Sequence, residues 1–469
     1  MTSIDTLPDD VLLEIFNLHG YCDDDYNGVK RAKAWQTLVH VCRRWRCIVF
    51  GSPRHLNLQL ACTQRTRSRD MLDVWPALPL IVFYRDYFIG SVDNVIAALE
   101  CRDRVYRIYL IGGLELDTIF MGAMQQPFPE LTNLDLTSCN DKSNETMAVV
   151  PDSFLGGSAP CLEYLFLNRI PFPGLPKLLL STTHLVTLLL YDIPHSGYFS
   201  PDRMVAALST LTGLKTLTLR FESPRSCPDQ ASRRPPPKTR SVLPGLTFFQ
   251  FKGVSEYLDD LVACIDAPQL NKLDIIFFND IVFDTPQLAR FISHTPKSQA
   301  LKSVHITLQD QGARIGFSSQ TSRRRLFNLE ILCGGLDWQV VAVEQVCTSC
   351  LPLLYMLEDL YFHEDSDSPP DRKDSVENRE WLELFRPFMA VKNLYLSENL
   401  ASLIVPALQE LVEGRTSDVL PALRNIFLKG LESSGSVQAS IGKLVAARQA
   451  ANHPIVISPW TDSEESEDD

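Results

Sequence analysis

Two cysteines and one His-Glu pair are the residues whose spacing could support chemistry. Cys347 and Cys350 form a Cys-x-x-Cys motif, the spacing found in zinc sites and in redox-active dithiols. A structural zinc site needs four ligands, and no second cysteine pair or histidine partner lies at a suitable distance along the chain. Core packing is therefore the favoured interpretation, with metal or redox chemistry as the alternative. The pair His363-Glu364 has no catalytic partner that the sequence identifies.

Signatures of the common enzyme classes are absent from the sequence. It contains neither a G-x-x-x-x-G-K-[ST] nor a G-x-G-x-x-G phosphate loop, and neither H-E-x-x-H nor G-x-S-x-G. Its nine histidines are dispersed along the chain. We therefore expect a protein that is not an enzyme and that needs no metal and no cofactor. The alternative, an enzyme with an unfamiliar site, predicts a closed polar pocket with perturbed titratable groups.

The composition is that of a globular protein with an acidic end. Hydrophobic residues make up 45% and charged residues 22% of 469 positions, so most of the chain should fold. No apolar run reaches 18 residues and the first residues are polar, which predicts a soluble, non-secreted protein of the cytoplasm and/or nucleus. The formal net charge is -13, and residues 462–469 carry six of the acids. This balance predicts no nucleic-acid and no membrane partner.

The first fifty residues contain two helical patterns. Apolar residues recur every three or four positions between residues 4 and 18, which predicts an amphipathic helix. Pro8 suits the first helical position, and Asp9 and Asp10 suit the positive end of the helix dipole. A second pattern over residues 30–50 predicts two short helices. Such a small module has little core, so we expect it to pack on a partner or on the next domain.

Two blocks within these patterns resemble the F-box. Residues 7–16 read LPDDVLLEIF, similar to the opening block LPxEILxxIF of that family, and residues 41–45 read VCRRW, similar to its VCKxW block. The chain departs from the family at Asp10, where Glu is usual, and by an insertion at residues 20–28. An unrelated helical cap on the end of the next domain is the alternative.

The resemblance implies docking to a Skp-type adaptor, which is bridged by a cullin to a RING subunit. The sequence does not separate residues that touch the adaptor from residues that hold the docking module together. The adaptor-binding candidates are Leu7, Pro8, Val11, Leu12, Ile15, Phe16, Leu38, Val41, Cys42 and Trp45.

Most of the remaining chain repeats an L-x-x-L-x-L pattern. Successive copies begin 23 to 34 residues apart, close to the period of leucine-rich repeats. In residues 131–136, LTNLDL, the last two apolar residues alternate with polar ones, which predicts a short half-buried strand. The copies begin at Val105, Leu131, Leu162, Leu185, Leu214, Leu246, Leu270, Leu301, Leu326, Leu357, Val391 and Leu423.

This region resembles the leucine-rich-repeat family, although the Asn or Cys that usually follows each strand is mostly missing. The predicted fold class is α/β, with an N-terminal F-box-like three-helix module followed by an irregular leucine-rich-repeat solenoid. The solenoid is expected to be a curved parallel sheet backed by helices and loops. The predicted domains are an F-box-like domain at 1–53, a linker with degenerate first repeats at 54–104, the solenoid at 105–432, and a C-terminal helix with a disordered acidic tail at 433–469.

Aromatic residues occupy many strand positions that should face the concave side of the sheet. Tyr, Phe and Arg are enriched in binding hot spots, so this face is predicted to bind a protein target of unknown identity. The alternative is that the rings cover apolar side chains of neighbouring repeats. Asp135, His305, His363 and Lys429 are predicted to share the face. The target-binding candidates are Tyr109, Tyr164, Phe166, Tyr191, Arg220, Phe248, Tyr361, Tyr395 and Phe427.

Two insertions interrupt the repeats. Residues 222–242 are basic and contain five prolines, and residues 363–380 are acidic and contain Pro369 and Pro370. Both are interpreted as solvated loops, with a docking role as the alternative.

The sequence as a whole favours the substrate-recognition subunit of an SCF-type E3 ubiquitin ligase. In this hypothesis the F-box docks the adaptor and the repeats hold a target for ubiquitination. The alternative is a leucine-rich-repeat interaction scaffold that is unconnected to ubiquitin.

Overall fold

The structure is a computed structural model. It describes residues 4–19, 29–139, 149–228, 239–278, 284–295, 301–319, 322–349, 351, 354–364, 376–413, 419–429, 435–450 and 453–460. The chain divides into two compact units, Met1–Phe199 with Ala206–Leu214, and Ser200–Val205 with Lys215–Asp469.

The first unit begins with three helices and continues as a parallel sheet. Its described strands pair in the order β1-β2-β3-β4-β5-β6, and each runs parallel to its neighbours. Its elements are α1 (Asp9–His19), α2 (Val29–Val39), α3 (Arg43–Gly51), β1 (Leu60–Thr63), α4 (Ser68–Val74), β2 (Leu80–Arg85), α5 (Val92–Leu99), β3 (Val105–Gly112), α6 (Glu115–Ala123), β4 (Asn133–Ser138), β5 (Tyr164–Asn168), α7 (Leu175–Leu179) and β6 (Thr187–Ile193).

The second unit carries a longer sheet with helices between most of its strands. The helix α8 (Pro201–Leu208) contains residues assigned to each unit. The further elements are β7 (Thr216–Phe221), β8 (Ser241–Val242), β9 (Phe248–Gly253), α9 (Ser255–Ala263), β10 (Ile265–Asp266), β11 (Lys272–Phe277), α10 (Pro286–His294), β12 (Leu301–Gln309), β13 (Gly312–Ser319), β14 (Ser322–Ile331), α11 (Leu336–Ser349), β15 (Asp359–Glu364), α12 (Asn378–Phe385), β16 (Asn393–Leu396), α13 (Glu398–Glu413), β17 (Asn425–Leu428), α14 (Gly435–Ala450) and β18 (Val456–Pro459).

The leucines of the repeat pattern form the core of each sheet. In β4, Leu134 and Leu136 are fully buried, while Asp135 between them projects to the opposite face. Burial of such a leucine contributes about 1.5–3 kcal/mol, so two per strand hold each repeat on its neighbours. All twelve copies of the pattern lead into a strand, which confirms a mixed α/β protein with a long, largely parallel sheet.

One stretch of the long sheet in the second unit is antiparallel, which corrects the expectation of a parallel sheet. The copies at Leu301 and Leu326 were expected to be adjacent parallel strands, but β13 lies between β12 and β14 and runs against both. The tight turn after Gln309 sends the chain straight back, and Ala313 and Ile315 are buried in alternation along β13. A Cβ at Gly312, where β13 begins, would clash with the Ile331 carbonyl oxygen.

The segments flanking the repeats also contribute strands. β1 and β2 lie within residues 54–104, the region predicted as a linker with degenerate repeats. β8 belongs to the basic insertion and pairs with β10, while α12 begins within the acidic insertion. The end of the chain supplies β18, which pairs in parallel with β17. Most of the two insertions' charged residues and the acidic tail lie outside the described residues.

No helix in the described part of the chain has both the length and the hydropathy needed to cross a membrane.

The burial of the repeat leucines predicts a specific loss of stability. Leu136→Ala should lower the free energy of unfolding by about 2–5 kcal/mol, because it leaves a cavity where no water replaces the lost contacts. The matched control is Leu180→Ala, at a leucine that is half exposed, where we expect a change within about 0.5 kcal/mol. Urea unfolding followed by circular dichroism measures both. Equal losses in the two variants would contradict the assignment of Leu136 to the core.

Candidate functional site

The two F-box-like blocks meet in the three N-terminal helices. Phe16 of α1 packs on Trp45 of α3, with ring centroids 4.7 Å apart. Arg44 donates hydrogen bonds from Nε to Asp9 Oδ1 at 2.9 Å and from Nη2 to the Leu7 carbonyl oxygen at 2.6 Å. These contacts hold the start of α1 against α3. The two blocks, which are separate in sequence, therefore form one compact module.

This module packs on the first strands through α2. The Trp35 indole N–H donates a hydrogen bond to the Gln59 carbonyl oxygen at 2.8 Å, and its ring meets Trp75 edge-on at 5.2 Å. Ala32 of α2 belongs to the same buried cluster as residues of β1, β2 and β3. The cluster comprises Ala32, Ala61, Ile81, Phe83 and Tyr109. Because Tyr109 pairs across the sheet with Asp135, the helices cover part of the face on which target binding was predicted.

Burial divides the ten adaptor-binding candidates. Three of them form the core of the module or pack on the sheet, three are half-buried, and four are exposed. Leu12, Phe16 and Leu38 are buried; Leu7, Cys42 and Trp45 are half-buried; Pro8, Val11, Ile15 and Val41 are exposed. Cys42 caps α3, since its Sγ accepts a hydrogen bond from the Trp45 backbone N–H at 3.4 Å.

An exposed apolar row runs along α1, which we call the helix stripe and define as Val11, Ile15 and Leu18. These side chains are 40%, 40% and 70% exposed. Their spacing of four and three residues places them on one side of the helix, while Leu12 and Phe16 face inward. Leu18 is part of the apolar pattern in the sequence, but only the structure shows that its side chain is exposed.

The target-binding candidates of the first unit form a group beside the helical module. Phe166 and Tyr191 lie on neighbouring strands with ring centroids 5.4 Å apart, and Tyr164 precedes Phe166 by two residues on the same face. Tyr164, Phe166 and Tyr191 are half-buried, whereas Tyr109 is buried in the cluster that includes Ala32 of α2 and presents little surface to a partner.

A carboxyl group, Asp135, lies in the row between Tyr109 and Phe166. Its Oδ1 atom is buried without a hydrogen-bond partner. Burial raises the pKa of Asp135 to about 6, although the positive charge of Arg85 acts in the opposite direction. The pKa of the Tyr164 hydroxyl is raised to about 12 by burial and by the nearby charge of Asp135.

In the second unit, four rings on neighbouring strands stack face to face; we call His305, Tyr361, Tyr395 and Phe427 the aromatic ladder. Their Cα positions lie in register across β12, β15, β16 and β17. Successive ring centroids are 4.3, 4.1 and 4.5 Å apart, and the rings are within 11° of parallel. The ladder brings together the candidates Tyr361, Tyr395 and Phe427, and its four rings are half-buried.

A tryptophan that sequence reasoning missed lies on this ladder. The Trp460 ring is 5.8 Å from Tyr395 and 6.1 Å from Tyr361, centroid to centroid, and 5.2 Å from His363. Lys429 Nζ lies 5.8 Å from the same ring. Trp460 falls beyond the last copy of the repeat pattern, so its place on the face follows from the pairing of β18 with β17 and not from the repeat.

Two further candidates lie away from the ladder. Lys272 Nζ lies 5.4 Å from the ring centroid of Phe248 of β9, and Arg220 of β7 is half-buried. The strands β11, β14 and β13 separate β9 from His305 in the sheet order.

Cys347 of the Cys-x-x-Cys motif and the His-Glu pair lie in different elements. Cys347 is buried within α11, while Cys350 is outside the described residues. His363 belongs to β15 beside His305, with Nε2 and Nδ1 of the two rings 3.4 Å apart. Within the described ranges, no group of three or more His, Cys, Asp or Glu side chains is arranged to hold a metal ion.

Comparison with known proteins finds similarity among solved structures only. No protein-family model matches the chain, and no curated protein matches it. Among solved structures, the chain is similar to the leucine-rich repeat-containing protein LegL7 from Legionella pneumophila. The two are 12% identical over 82% of this chain and 97% of that one, with a TM-score of 0.26. The α/β architecture follows from the strand pairing of the chain itself.

The buried carboxyl group predicts a pH-dependent effect of Asp135→Asn. Because folding raises the pKa of Asp135, the folded chain binds more protons than the unfolded chain between about pH 4 and pH 6. Asp135 therefore destabilises the fold progressively as the pH rises through this window. We expect Asp135→Asn to gain stability relative to wild type between pH 4 and pH 7, by on the order of 2–3 kcal/mol.

Urea unfolding of both proteins at the two pH values measures this effect. A stability difference that is the same at pH 4 and pH 7 would contradict the burial of an ionisable carboxyl group at this position.

Proposed function

We propose that this protein is the substrate-recognition subunit of an SCF-type ubiquitin ligase. In this proposal the N-terminal helices dock a Skp-type adaptor, and through it a cullin, while the open face of the repeats holds a protein target. The observation that carries the proposal is the helix stripe, because it is an ordered apolar row that the chain itself leaves exposed.

The stripe has the form of one half of a helix-in-groove contact. Val11, Ile15 and Leu18 follow the spacing by which amphipathic helices enter apolar grooves. Single exposed apolar side chains are common on protein surfaces, but an aligned row on a helix whose other side is packed favours a partner. Asp10 and Glu14 are exposed on the same helix and would form a polar rim around an apolar centre.

The arrangement of the blocks also supports the proposal. The residues of the F-box-like blocks hold the stripe in place, because Phe16 and Trp45 pack together and Arg44 binds the start of α1. The resemblance of the sequence therefore concerns residues that cooperate in one module, and not two unrelated segments.

In this mechanism the protein performs no covalent chemistry and requires no cofactor. It would raise the effective concentration of a target lysine beside an activated ubiquitin thioester carried by the other subunits. The half-buried aromatic rings of the repeat face supply the kind of side chain that dominates protein-binding hot spots. The location of such a complex would be the cytoplasm and/or the nucleus.

A second candidate is a repeat scaffold that never joins a ligase. The packing of α2 on β1 and β2 favours it, because helices that close one end of a repeat sheet bury apolar surface for stability alone. The exposure of the stripe distinguishes the two candidates, since a helical cap with only a structural role does not require Val11, Ile15 and Leu18 to be exposed.

The test is binding of the full chain to a purified Skp-type adaptor. Val11→Asp should weaken binding by at least about tenfold, because a carboxylate in an apolar contact costs more than the 1.4 kcal/mol that corresponds to this factor. An acid at Val11, in the first turn of α1, is compatible with the helix dipole, so the module should still fold. Leu12 is unsuitable for this purpose because it is fully buried.

The matched control is Val74→Asp, at a helical valine that is 77% exposed on α4. It should bind the adaptor as wild type does. Isothermal titration calorimetry measures the affinities, and circular dichroism verifies the fold of each variant. A well-folded wild-type chain that does not bind the adaptor would contradict the ligase proposal and leave the scaffold; equal binding by all three proteins would place the contact elsewhere than on the stripe.

A further inference from the structure

The last described strand of the chain, β18, lies at the edge of the second sheet. It pairs in parallel with β17, with Val456 opposite Asn425 and Ser458 opposite Phe427. The Trp460 backbone N–H continues this pairing by donating to the Leu428 carbonyl oxygen at 2.8 Å. In the described sheet, β18 has a neighbour on one side only.

The side chain of Trp460 reaches back over the face of the sheet. Trp460 follows β18, yet its ring contacts Tyr395 on β16 and also Tyr361 and His363 on β15. In the sheet order, the strand β15 that contains Tyr361 is three strands away from β18. The ring therefore covers part of the aromatic ladder.

This strand is attached by few buried groups. Val456 is 59% exposed and Pro459 is also exposed, whereas Ile455 immediately before β18 is buried. Edge strands with little buried apolar surface open at lower free energy than central strands do. Once β18 is detached, the unpaired edge of β17 and the uncovered rings of Tyr361 and Tyr395 together offer a template for another extended segment.

The surroundings of the Trp460 ring indicate the charge of a suitable segment. Lys429 Nζ lies near the ring, and His363 contacts it. Asp359, on the same face of β15, is held by a hydrogen bond from Asn393 Nδ2 at 2.6 Å. In the sequence, Trp460 is followed by Thr461 and then by six acids within residues 462–469.

We propose that the edge of β17 and the aromatic ladder form the target-docking surface, and that residues 456–460 occupy it in the free chain. The target segment would be extended, would add as a strand parallel to β17, and would place an aromatic side chain on Tyr361 and Tyr395, followed by acidic residues near Lys429. Strand addition supplies backbone hydrogen bonds, and the ring supplies selectivity.

This inference rests on the target-binding role given to the repeat face under the proposed function, but not on adaptor binding. The chain's own strand belongs to the same molecule, so it competes with any target at an effective concentration on the order of millimolar. Binding of a target should consequently tighten when the contact of Trp460 is removed.

The experiment uses the full chain and a fluorescein-labelled peptide with the sequence of residues 453–469. Fluorescence anisotropy compares wild type, Trp460→Ala and the control Trp338→Ala, which alters a half-exposed tryptophan on α11. We expect the peptide to bind Trp460→Ala at least ten times more tightly than wild type or Trp338→Ala. Thermal unfolding verifies that all three proteins are folded.

Three further arms test each part of the surface. Adding Tyr395→Ala to Trp460→Ala should abolish the gain, replacing the peptide's tryptophan by alanine should do the same, and replacing its six acids by serine should weaken binding several-fold. A peptide that binds none of the proteins, or binds all of them equally, would overturn the proposal and leave β18 as a structural end strand. Adaptor binding is measured separately, so failure here would not be mistaken for failure of the ligase proposal.

Discussion

The alternation of buried and open residues along each parallel strand is the constraint on which this structure depends. Leu134 and Leu136 must be buried between the sheet and its return segments, so the residue between them has to face the open side. Because neighbouring strands pair in register, these open-side residues lie next to one another, separated by the distance between adjacent strands. The aromatic ladder of His305, Tyr361, Tyr395 and Phe427 is a direct result. The residues before and after each ring along its strand are apolar and face the buried side, so the ring itself lies on the open side.

The same constraint explains how the N-terminal helices can have two roles. α2 packs on apolar residues of β1 and β2 in a buried cluster that also includes Tyr109 of β3, and this packing fixes the module in place. α1 is held from one side through Phe16 and Trp45, which leaves Val11, Ile15 and Leu18 facing outward. A rigidly held apolar row is better prepared for a partner than a mobile one, because less conformational entropy is lost on binding.

Departures from the repeat occur where local turn chemistry is stronger than the pattern. Between Leu301 and Leu326 the chain turns back after Gln309 and inserts β13 with the opposite direction. The L-x-x-L-x-L pattern reports which residues are buried but not the direction or order of the strands, since a buried alternation looks the same in both orientations. At the other end, β18 has no such pattern and is held mainly by pairing with β17.

The sequence by itself determined the α/β class, the three N-terminal helices, the positions of the repeat strands and the face on which their aromatic residues lie. Each of these follows from periodicity and local propensity, which involve residues close together along the chain. Only the tertiary structure decided that Leu12 is core while Val11 is surface, that Tyr109 is buried in a cluster with Ala32, that β13 is antiparallel, and that Trp460 lies on Tyr395. These depend on contacts between residues far apart in sequence, and no local pattern specifies which distant surface a side chain will meet.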